Sequence, residues 1–516
     1  MESITLLLIL ITLFLGAIIG ALILYRQTNF WQQKGIPYLK PLIPVLGSMS
    51  IILFRRSSFY DGLNFLYNKF PNAKYYGMMI LHTPLLLVRD PDLIKEICVK
   101  NFENFVDRRS FMTEEMDPVY GKNVFSLKGD RWKKMRNTLS PAYTAAKMKL
   151  MFELVEKCAR DFVQYFIDHS NEAKSIELSD AFTRYCNDVI ATAAFGISVN
   201  SLKDRENEFY ERGKKSFNLG SSKRFIKIIA FRLFPKLMHL LGITFLAKKS
   251  DRFFKKIITE TVITRDEKNI IRPDMIHLLM EARNKDDNDL SMDDIIAQGF
   301  LFFLAGFDSS SGLMKFMAHE LAMNPEIQDR LRIEVDSLLK ENENIDDFYG
   351  RLSELKYMDM VLSETLRKYP PNPLLDRLCV KEYNFPKATP DSKEYTVKPK
   401  NAIWIPIYGL HHDPKYFPNP EKFDPERFSD ENKDKIHPYA YLPFGLGPRK
   451  CIGNRFALME TKLIFVFILL NFTLEPTEKT KYPIEFARGG GGLKVKDGLW
   501  IAFKKRVFDH QQESVL

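Results

Sequence analysis

The sequence predicts a mainly α-helical protein with a minor β-sheet, built as a single large domain behind an N-terminal transmembrane anchor. Three observations indicate this: an uncharged apolar run at residues 4–25, helical periodicity over residues 130–370, and short strand-like runs near both ends of the chain. The 516 residues are 45% hydrophobic and 13% aromatic, which is enough to bury a large core.

The N-terminal run is long enough to cross a bilayer. It reads "ITLLLILITLFLGAIIGALILY", and at about 1.5 Å per residue it spans a hydrocarbon core of about 30 Å. Glu2 precedes it and basic residues follow, beginning with Arg26, so the positive-inside rule places the N-terminus outside and the body in the cytosol. A cleaved signal peptide is the alternative, but it has a shorter apolar region and a small-residue cleavage site. We assign residues 1–26 to a retained anchor.

Residues 27–50 predict a semi-rigid neck between this anchor and the body, residues 51–516. Pro37, Pro41 and Pro44 cannot continue a helix, and closely spaced prolines stiffen a linker.

The body begins with two predicted strands and a capped helix. The runs "KYYGMMI" and "PLLLVRD" alternate with turn residues and predict strands joined by a tight turn at residues 82–84. Asp90 then predicts an N-cap, with Pro91 at the first helical position. Further along, the apolar and basic segment 223–249 allows two interpretations: a pair of core helices, or a second surface that dips into a membrane interface.

The formal net charge of +10 suits an anionic membrane surface, an acidic protein partner or nucleic acid. The sequence has no zinc-finger spacing and no RNP-like aromatic box, so we expect no nucleic-acid partner.

Five widely spaced cysteines, none in a CxxC pair, argue against a disulfide framework or a structural zinc site. Cys451 alone has an unusual context, the glycine-rich loop "FGLGPRKCIG" before a long apolar run. We expect the following helix to begin near Ile452, which would bias the thiol toward thiolate. One thiolate cannot satisfy zinc, but it can be the only axial ligand of a haem, with Arg449 beside a propionate. From these residues alone, haem ligation and a structural loop cysteine both remain open.

Five motifs together resemble the cytochrome P450 family of haem-thiolate monooxygenases. The loop from Phe444 to Gly453 fits F-x-x-G-x-R-x-C-x-G, a specific signal of ten residues with five fixed positions. In the right chain order, the other four are "DRWKKMR", "AGFDSS", "SETLR" and "FDPERF". The likeness runs from the anchor to the C-terminus and is greatest for animal microsomal members, particularly insect enzymes that oxidise drugs and toxins.

The resemblance implies haem b with Cys451 as its axial thiolate and iron ligand, in a cytochrome P450 fold whose catalytic domain is residues 51–516. It assigns the other haem contacts to Phe444, Gly453, Arg449, Trp132, Arg136, Arg108 and Arg377. It also implies that Glu364 and Arg367 form a buried network with Arg427, which braces the loop before the cysteine, whereas the motif alone would suggest a surface ion pair.

The resemblance places oxygen binding and proton delivery in "LFFLAGFDSSSGL". Asp308 and Ser309 form the acid–alcohol pair, and Ser309 stands where the family usually has threonine. The hydroxyl is kept, but the methyl group that restricts its rotamer is lost. We expect a leakier proton relay that releases more peroxide; an equivalent substitution is the alternative.

Substrate contacts implied by position in the family are Phe111, Val119, Phe303, Ala305, Pro371, Asn372, Pro373 and Leu493. The aromatic content favours lipophilic substrates. The chain has no nicotinamide fingerprint, so electrons should come from NADPH–cytochrome P450 reductase, with cytochrome b5 as a second donor. Lys133, Lys134 and Lys450 lie beside the haem motifs and predict a basic docking face, or else ordinary solvated lysines.

Two other functions fit parts of the pattern. A haem-thiolate isomerase or dehydratase would use peroxides without a reductase, and such enzymes often lose the acid–alcohol pair. A non-enzymatic haem binder or gas sensor would need neither the relay nor an apolar cavity. The resemblance to microsomal members implies the endoplasmic reticulum membrane.

Overall fold

The computed structural model describes residues 2–41, 43, 46–48, 50, 58–81, 83–109, 113–217, 222–272, 274–284, 290–340, 348–488 and 494–507. Two of the predicted substrate contacts, Phe111 and Leu493, lie outside these residues.

The α-helices are α1 Glu2–Gln32, α2 Phe59–Asn68, α3 Pro91–Lys95, α4 Pro118–Gly121, α5 Gly129–Leu139, α6 Ala145–Asp168, α7 Ser170–Ala173, α8 Leu178–Phe195, α9 Glu208–Phe217, α10 Ser222–Leu233, α11 Pro235–Leu240, α12 Lys248–Lys268, α13 Met275–Arg283, α14 Met292–Met323, α15 Pro325–Lys340, α16 Phe348–Arg351, α17 Lys356–Lys368, α18 Ile407–His411 and α19 Asn454–Asn471. The strands are β1 Tyr75–Ile80, β2 Thr83–Val88, β3 Ile176–Glu177, β4 Leu375–Leu378, β5 Tyr383–Phe385, β6 Tyr395–Val397, β7 Ala402–Ile405, β8 Phe472–Pro476 and β9 Trp500–Lys505. Short 3-10 turns lie at Pro425–Phe428 and Gly447–Arg449, and a π turn lies at Glu96–Lys100.

The predicted fold class, mainly helical with a minor sheet content, is confirmed. The strands form sheets of order β1-β2-β7-β4, β3-β9-β8 and β5-β6. The described chain groups into two compact units that are interleaved in sequence. Unit 1 is Met1–Arg109, Asn372–Pro420 and His437–Lys450; unit 2 is Ser110–Pro371, Glu421–Ile436 and Cys451–Leu516.

Unit 1 is built on the four-stranded sheet. The two strands predicted from "KYYGMMI" and "PLLLVRD" are present as β1 and β2, paired antiparallel, and β2 pairs parallel with β7. The predicted cap of α3 is also present, because the Asp90 side chain accepts a hydrogen bond of 2.9 Å from the Leu93 amide and Pro91 begins the helix.

Helix α1 continues further than the anchor predicted from the sequence. Residues 27–32, which we assigned to the neck, belong to α1, because nothing before Gly35 breaks the helix and its last turns pack on β1. Trp31 is fully buried, and its indole Nε1 donates 3.1 Å to the Met78 carbonyl. A Cβ on Gly77 would lie 2.4 Å from the Trp31 ring, so glycine is required where the ring crosses the strand. The stretch Leu10–Gln32 is long and apolar enough to cross a membrane.

Unit 2 is organised around α14, a helix of 32 residues. It begins at a capping box in which the Ser291 side chain accepts from the Asp294 amide and the Asp294 side chain accepts from the Ser291 amide. The helix packs along α8 and also against α12, α17 and α19, while α6 packs on α8 and α19. Because it has neighbours on several sides, α14 is apolar around most of its circumference.

The segment 223–249 has a buried side and an exposed apolar side. It forms α10 and α11, and a small cluster of Phe231, Met238 and Phe245 is buried beneath them. An apolar row remains exposed on the outside: Ile226, Phe234, Leu237, Leu240 and Leu241.

Candidate haem site

The loop before Cys451 depends on two glycines in the left-handed backbone region. Gly445 and Gly447 have φ values of +77° and +72°. A Cβ on Gly447 would also lie 1.8 Å from the Cys98 carbonyl oxygen, so no side chain fits there. Phe444, the first residue of the motif, is half-buried. Glycine adopts this region at no steric cost, which explains the glycine-rich composition of the loop.

Cys451 is exposed and follows this loop directly. The predicted start of the next helix near Ile452 is wrong by two residues: α19 begins at Asn454, with Gly453 as its N-cap. The turn at residues 452–453 separates the thiol from the first helical residue, so the helix dipole acts on it more weakly than we expected. A Cβ on Gly453 would approach only Tyr143, at 3.6 Å, so there is space beside this backbone.

Tyr143 is a residue of this region that the sequence reasoning missed. Burial raises the pKa of its phenol, and the nearby Cys451 raises it further. Its ring packs edge-on against Phe302 of α14, with 6.3 Å between ring centroids. It stands in "SPAYT" outside any recognised motif, and only its contacts identify it.

Trp132 and Arg136, two haem contacts implied by the resemblance, lie one turn apart on α5. Trp132 is buried and Arg136 is half-buried. Burial lowers the pKa of Arg136, while Cys451 and Tyr143 oppose that shift. The structure therefore brings Arg136, Tyr143 and Cys451 together within unit 2.

Three predicted arginines cluster in unit 1. Arg449 is buried, and its Nε donates 2.8 Å to the Val106 carbonyl, while Arg108 Nη2 donates 3.2 Å to the Arg449 carbonyl. Arg377 is fully buried, and its Nη2 donates 3.2 Å to the Leu446 carbonyl. Burial lowers the pKa of Arg449 to about 9, and the positive charges of Arg108 and Arg377 contribute to this shift.

This cluster is short of negative charge. Asp107 lies 3.7 Å from Arg449 Nη2 and, with Asp376, only partly offsets the repulsion among the guanidiniums. Arg377 Nε is buried and makes no hydrogen bond to any part of the chain that the structure describes. Such a group of fixed, partly unsatisfied donors is suited to binding carboxylates.

Glu364, Arg367 and Arg427 form one buried network in unit 2. Glu364 and Arg367 are fully buried on α17, and Arg367 donates to both carboxylate oxygens, at 2.7 and 2.8 Å. The Asp424 amide donates 2.9 Å to the same carboxylate, and Arg427 Nε lies 3.4 Å from it. The motif's ion pair is thus a core feature, not a surface one.

One stripe of α14 is exposed although the helix is otherwise largely buried. Ala305, Asp308 and Ser309 form this stripe, and Phe302 lies one turn before Ala305 on the same side. The Ser309 hydroxyl donates 2.5 Å to the Ala305 carbonyl. The helix remains continuous through these residues.

Phe303, a predicted substrate contact, does not lie on the exposed stripe of α14. It is fully buried, and its ring lies 4.8 Å from that of Phe254 and 5.2 Å from that of Phe209. A Cβ on Gly213 would lie 2.3 Å from the Phe303 ring, so the ring packs directly against the Gly213 backbone of α9. The neighbouring Phe302, which shares a side of α14 with Ala305, is better placed to line a cavity.

The remaining predicted substrate contacts have mixed exposure. Val119 is buried in α4, Pro371 is half-buried, Asn372 is exposed and Pro373 is buried. The Pro373 carbonyl accepts 3.1 Å from the Tyr408 amide, so it belongs to the framework of unit 1.

These side chains fit a haem by the chemistry of their donors. Cys451 offers one exposed sulfur, and the guanidiniums of Arg108, Arg377 and Arg449 suit two propionates. Within the described ranges no group of three or more His, Cys, Asp or Glu side chains is arranged to hold a metal ion. A porphyrin supplies the four donors that the protein does not.

Comparison with known proteins agrees with this chemistry. The family profile described as Cytochrome P450 matches residues 37–500. The chain belongs to the cytochrome P450 family. It is 45% identical over 509 residues to Cytochrome P450 9e2 of Blattella germanica, covering 93% of this chain and 94% of that protein. It is 40% identical to Probable cytochrome P450 9f2 of Drosophila melanogaster (95% and 98% covered) and 36% identical to Cytochrome P450 6k1 of Blattella germanica (95% and 96% covered).

As a cytochrome P450, the protein is a haem-thiolate monooxygenase, an oxidoreductase whose haem carries an axial cysteine thiolate. Members of this family act on O2 and a substrate with electrons from a redox partner. The resemblance stated from the motifs alone is thereby confirmed.

Proposed function

We propose that this protein is an NADPH–cytochrome P450 reductase-dependent monooxygenase that inserts one atom of O2 into lipophilic small molecules, by hydroxylation or epoxidation. The observation that carries the proposal is the exposed Cys451, which follows a loop fixed by Gly445 and Gly447, inside a chain that matches the family over residues 37–500. Foreign compounds are the substrate class we favour, with endogenous lipids or hormones as the alternative.

Cys451 would be the axial ligand. Arg108, Arg377 and Arg449 would hold propionates, assisted by Trp132 and Arg136, while Phe444 and Gly453 would lie against the haem. Haem with an axial thiolate supplies activation of O2, because the thiolate directs electron density that favours O–O cleavage. The donor-rich arginine cluster and the space beside Gly453 support these assignments.

Asp308 and Ser309 would deliver protons. Both are exposed on α14, and Ala305 beside them is small enough to leave room for oxygen and substrate. The Ser309 hydroxyl donates a hydrogen bond to the Ala305 carbonyl. A serine side chain can rotate away from this carbonyl more easily than a threonine side chain, because it lacks the methyl group that restricts the rotamer. Phe302 would line the apolar side of the same space.

Electron supply would come from the reductase, with cytochrome b5 as a second donor. Lys134 and Lys450 are exposed and Lys133 is half-buried, and the positive charges of the two exposed lysines suit an acidic flavoprotein. If charge steers docking, raising the salt concentration should slow reduction of the holoenzyme.

We place the protein in the endoplasmic reticulum membrane, with α1 as a single-pass anchor and the body on the cytosolic side. The uncharged span within α1 and the basic residues after it support this orientation. The exposed apolar row of α10 and α11 would add a second contact with the lipid interface.

A reduced carbon-monoxide spectrum of the holoenzyme tests the central assignment. Wild type should show the strongly red-shifted Soret band of thiolate-ligated haem, and Cys451→Ser should lose it. Cys379→Ser is the matched control, because this buried cysteine donates to the Lys381 carbonyl at 3.0 Å and serine keeps that donor. A wild-type spectrum without the shifted band would refute the proposal, as would a shifted band that survives in Cys451→Ser.

A reconstituted assay then separates the function from its alternatives. Substrate oxidation should require NADPH, O2 and the reductase together. Turnover of an organic peroxide without a reductase would instead indicate an isomerase or dehydratase.

A further inference from the structure

A histidine outside the haem contacts named above holds the chain segment that leads to Cys451. His411 is the last residue of α18 and is fully buried. Its Nε2 accepts a hydrogen bond of 2.8 Å from the Leu442 amide, which joins positions 31 residues apart in the chain. An imidazole nitrogen that accepts a hydrogen bond carries no proton, so the ring is neutral and its proton is on Nδ1.

The Leu442 peptide unit opens the glycine-rich loop. Its amide donates to His411, and its carbonyl accepts a hydrogen bond of 3.1 Å from the amide of Gly445, the first left-handed glycine. Leu442 is 1% exposed, so bulk water does not serve its amide in place of the imidazole. The bond to His411 therefore fixes the turn at residues 442–445 from which the loop starts.

Later parts of the loop have their own attachments to unit 1. Arg377 donates to the Leu446 carbonyl, and Arg449 donates to the Val106 carbonyl. Both donors are arginines that the resemblance assigns to the haem propionates. His411 is the attachment at the start of the loop, and none of the motifs in the sequence indicates it.

Two aromatic rings fix the direction of the imidazole. The Tyr441 ring stacks on it, with 5.4 Å between ring centroids and an interplanar angle of 29°. The ring of Phe417, which is itself buried, meets it edge-on at 6.0 Å. Because the imidazole is packed in this way, Nε2 cannot turn away from the Leu442 amide without loss of the ring contacts.

The helix that carries His411 is also fixed in place. Gly409 lies against Tyr67 of α2, where a Cβ would come within 2.4 Å of the Tyr67 side chain. The rings of Tyr408 and Tyr60 meet edge-on at 5.1 Å. Helix α18 is therefore a firm part of unit 1, and His411 passes its position on to the loop.

We propose that His411 is a positioning residue for the haem thiolate: its neutral imidazole, as acceptor for the Leu442 amide, sets the start of the loop that presents Cys451. The proposal rests on the assignment of Cys451 as the axial ligand made above. Without the acceptor, the buried amide loses its partner and the turn at residues 442–445 opens to find another. The sulfur is then held less firmly, although His411 itself takes no part in the reaction.

Three variants separate the acceptor from the ring. His411→Phe keeps a ring for Tyr441 and Phe417 but offers no acceptor. His411→Gln loses the ring, but its Oε1 stands the same number of bonds from Cα as Nε2 and can accept from Leu442. His411→Asn is also polar, but its Oδ1 stands one bond closer to Cα and does not reach the amide.

Hydrogen–deuterium exchange of the holoenzyme measures the bond directly. In peptides that contain Leu442, His411→Phe and His411→Asn should exchange this amide about tenfold faster or more, because a buried amide has lost its acceptor. His411→Gln should retain the protection of wild type. Peptides of β7 report any global opening. Equal exchange at Leu442 in wild type and His411→Phe would overturn the proposal.

The reduced carbon-monoxide spectrum measures the consequence for the thiolate. At a fixed temperature, His411→Phe and His411→Asn should lose the red-shifted Soret band at least about twofold faster than wild type, whereas His411→Gln should keep the wild-type rate. A simple packing defect would give the opposite order, because phenylalanine keeps the ring and glutamine does not. A glutamine variant that loses the band as fast as the asparagine variant would overturn the proposal, even if His411→Phe fails to fold.

His412→Phe is the matched control. This adjacent histidine is also buried, but its Nδ1 lies 2.9 Å from the Tyr408 carbonyl, a contact at the end of the same helix. The control should retain both the protection of Leu442 and the lifetime of the band, and losses as large as those of His411→Phe would overturn the specific role of His411. If wild type shows no red-shifted band, the assignment of Cys451 fails, while amide exchange still decides whether His411 holds Leu442.

Discussion

The network around Glu364 offers the sharpest test of how this fold is stabilised. Glu364→Gln keeps the shape of the side chain but removes its charge and places an amide group against Arg367. The carboxylate accepts from Arg367 at 2.7 and 2.8 Å and from the Asp424 amide at 2.9 Å, and both members of the ion pair are 0% exposed. The substitution therefore leaves a guanidinium buried without compensation.

The expected cost follows from this burial. Two unit charges 4 Å apart attract by about 4 kcal/mol at an effective dielectric constant of 20, and removing one partner of a buried pair costs about 3–5 kcal/mol. The longer ion pair between Glu364 and Arg427 adds little to this cost, because Arg427 Nε lies 3.4 Å from the carboxylate and the Arg427 side chain is 10% exposed. We expect Glu364→Gln to lower the free energy of unfolding by about 3–5 kcal/mol.

The assay is the fraction of folded holoenzyme across a urea series, measured by pulse proteolysis. Glu260→Gln is the matched control, because its partner Lys256 lies 3.8 Å away and the two side chains are 62% and 73% exposed. An exposed helical pair of this kind is worth about 0.3–0.5 kcal/mol.

A double variant separates charge from shape. Glu364→Met with Arg367→Met removes both charges, so it should recover much of the stability lost by the single change. The reasoning is refuted if Glu364→Gln costs no more than Glu260→Gln. It is also refuted if the double variant is as unstable as Glu364→Gln, because the loss would then not come from an uncompensated charge.

Three further predictions concern the relay, the loop and the buried carboxyl. Ser309→Thr should lower the peroxide released per NADPH consumed, and an unchanged ratio would show that serine is an equivalent substitute. Gly447→Ala should lose haem and much of its stability, because its Cβ would collide with the Cys98 carbonyl. Gly129→Ala is the control: this residue has φ +51° and nothing within 4 Å of a Cβ, so the substitution should lower the free energy of unfolding by only about 1–2 kcal/mol. Equal losses in the two variants would contradict the steric argument. Burial raises the pKa of Glu460 from 4.5 to about 8, so between these pH values the folded state binds more protons than the unfolded state. Wild type should therefore lose stability relative to Glu460→Gln as the pH rises from 5 to 8. Parallel profiles of stability against pH in the two proteins would contradict this.

The sequence predicted the local structure well wherever a strong local signal exists. The strands β1 and β2 and the Asp90 cap follow from short patterns whose physics acts within a few residues. Boundaries were less accurate. α1 extends to Gln32 because Trp31 packs against a strand that lies far away in the sequence, and no local pattern encodes that contact.

Side-chain direction is the other property that the sequence leaves open. Phe302 and Phe303 are adjacent apolar residues on α14, and the sequence gives no means of deciding which one faces the helical core. The structure buries Phe303 among the rings of other helices and turns Phe302 toward Tyr143. The helical period separates neighbours by about 100°, so the choice depends on how α14 is rotated against its partners.

Residue types at fixed spacing in the sequence identified the family and the haem-thiolate chemistry: a cysteine among glycines and a glutamate three residues before an arginine. The uncharged apolar run predicted an anchor. Which groups are buried, and what they meet there, depends on the folded arrangement of the chain. Burial turns the Glu364–Arg367 pair into a core element and leaves the Tyr185 hydroxyl and the Glu460 carboxyl without a hydrogen bond of regular geometry to the described residues. The physical reason is that desolvation depends on every neighbour that excludes water, and those neighbours come from distant parts of the chain.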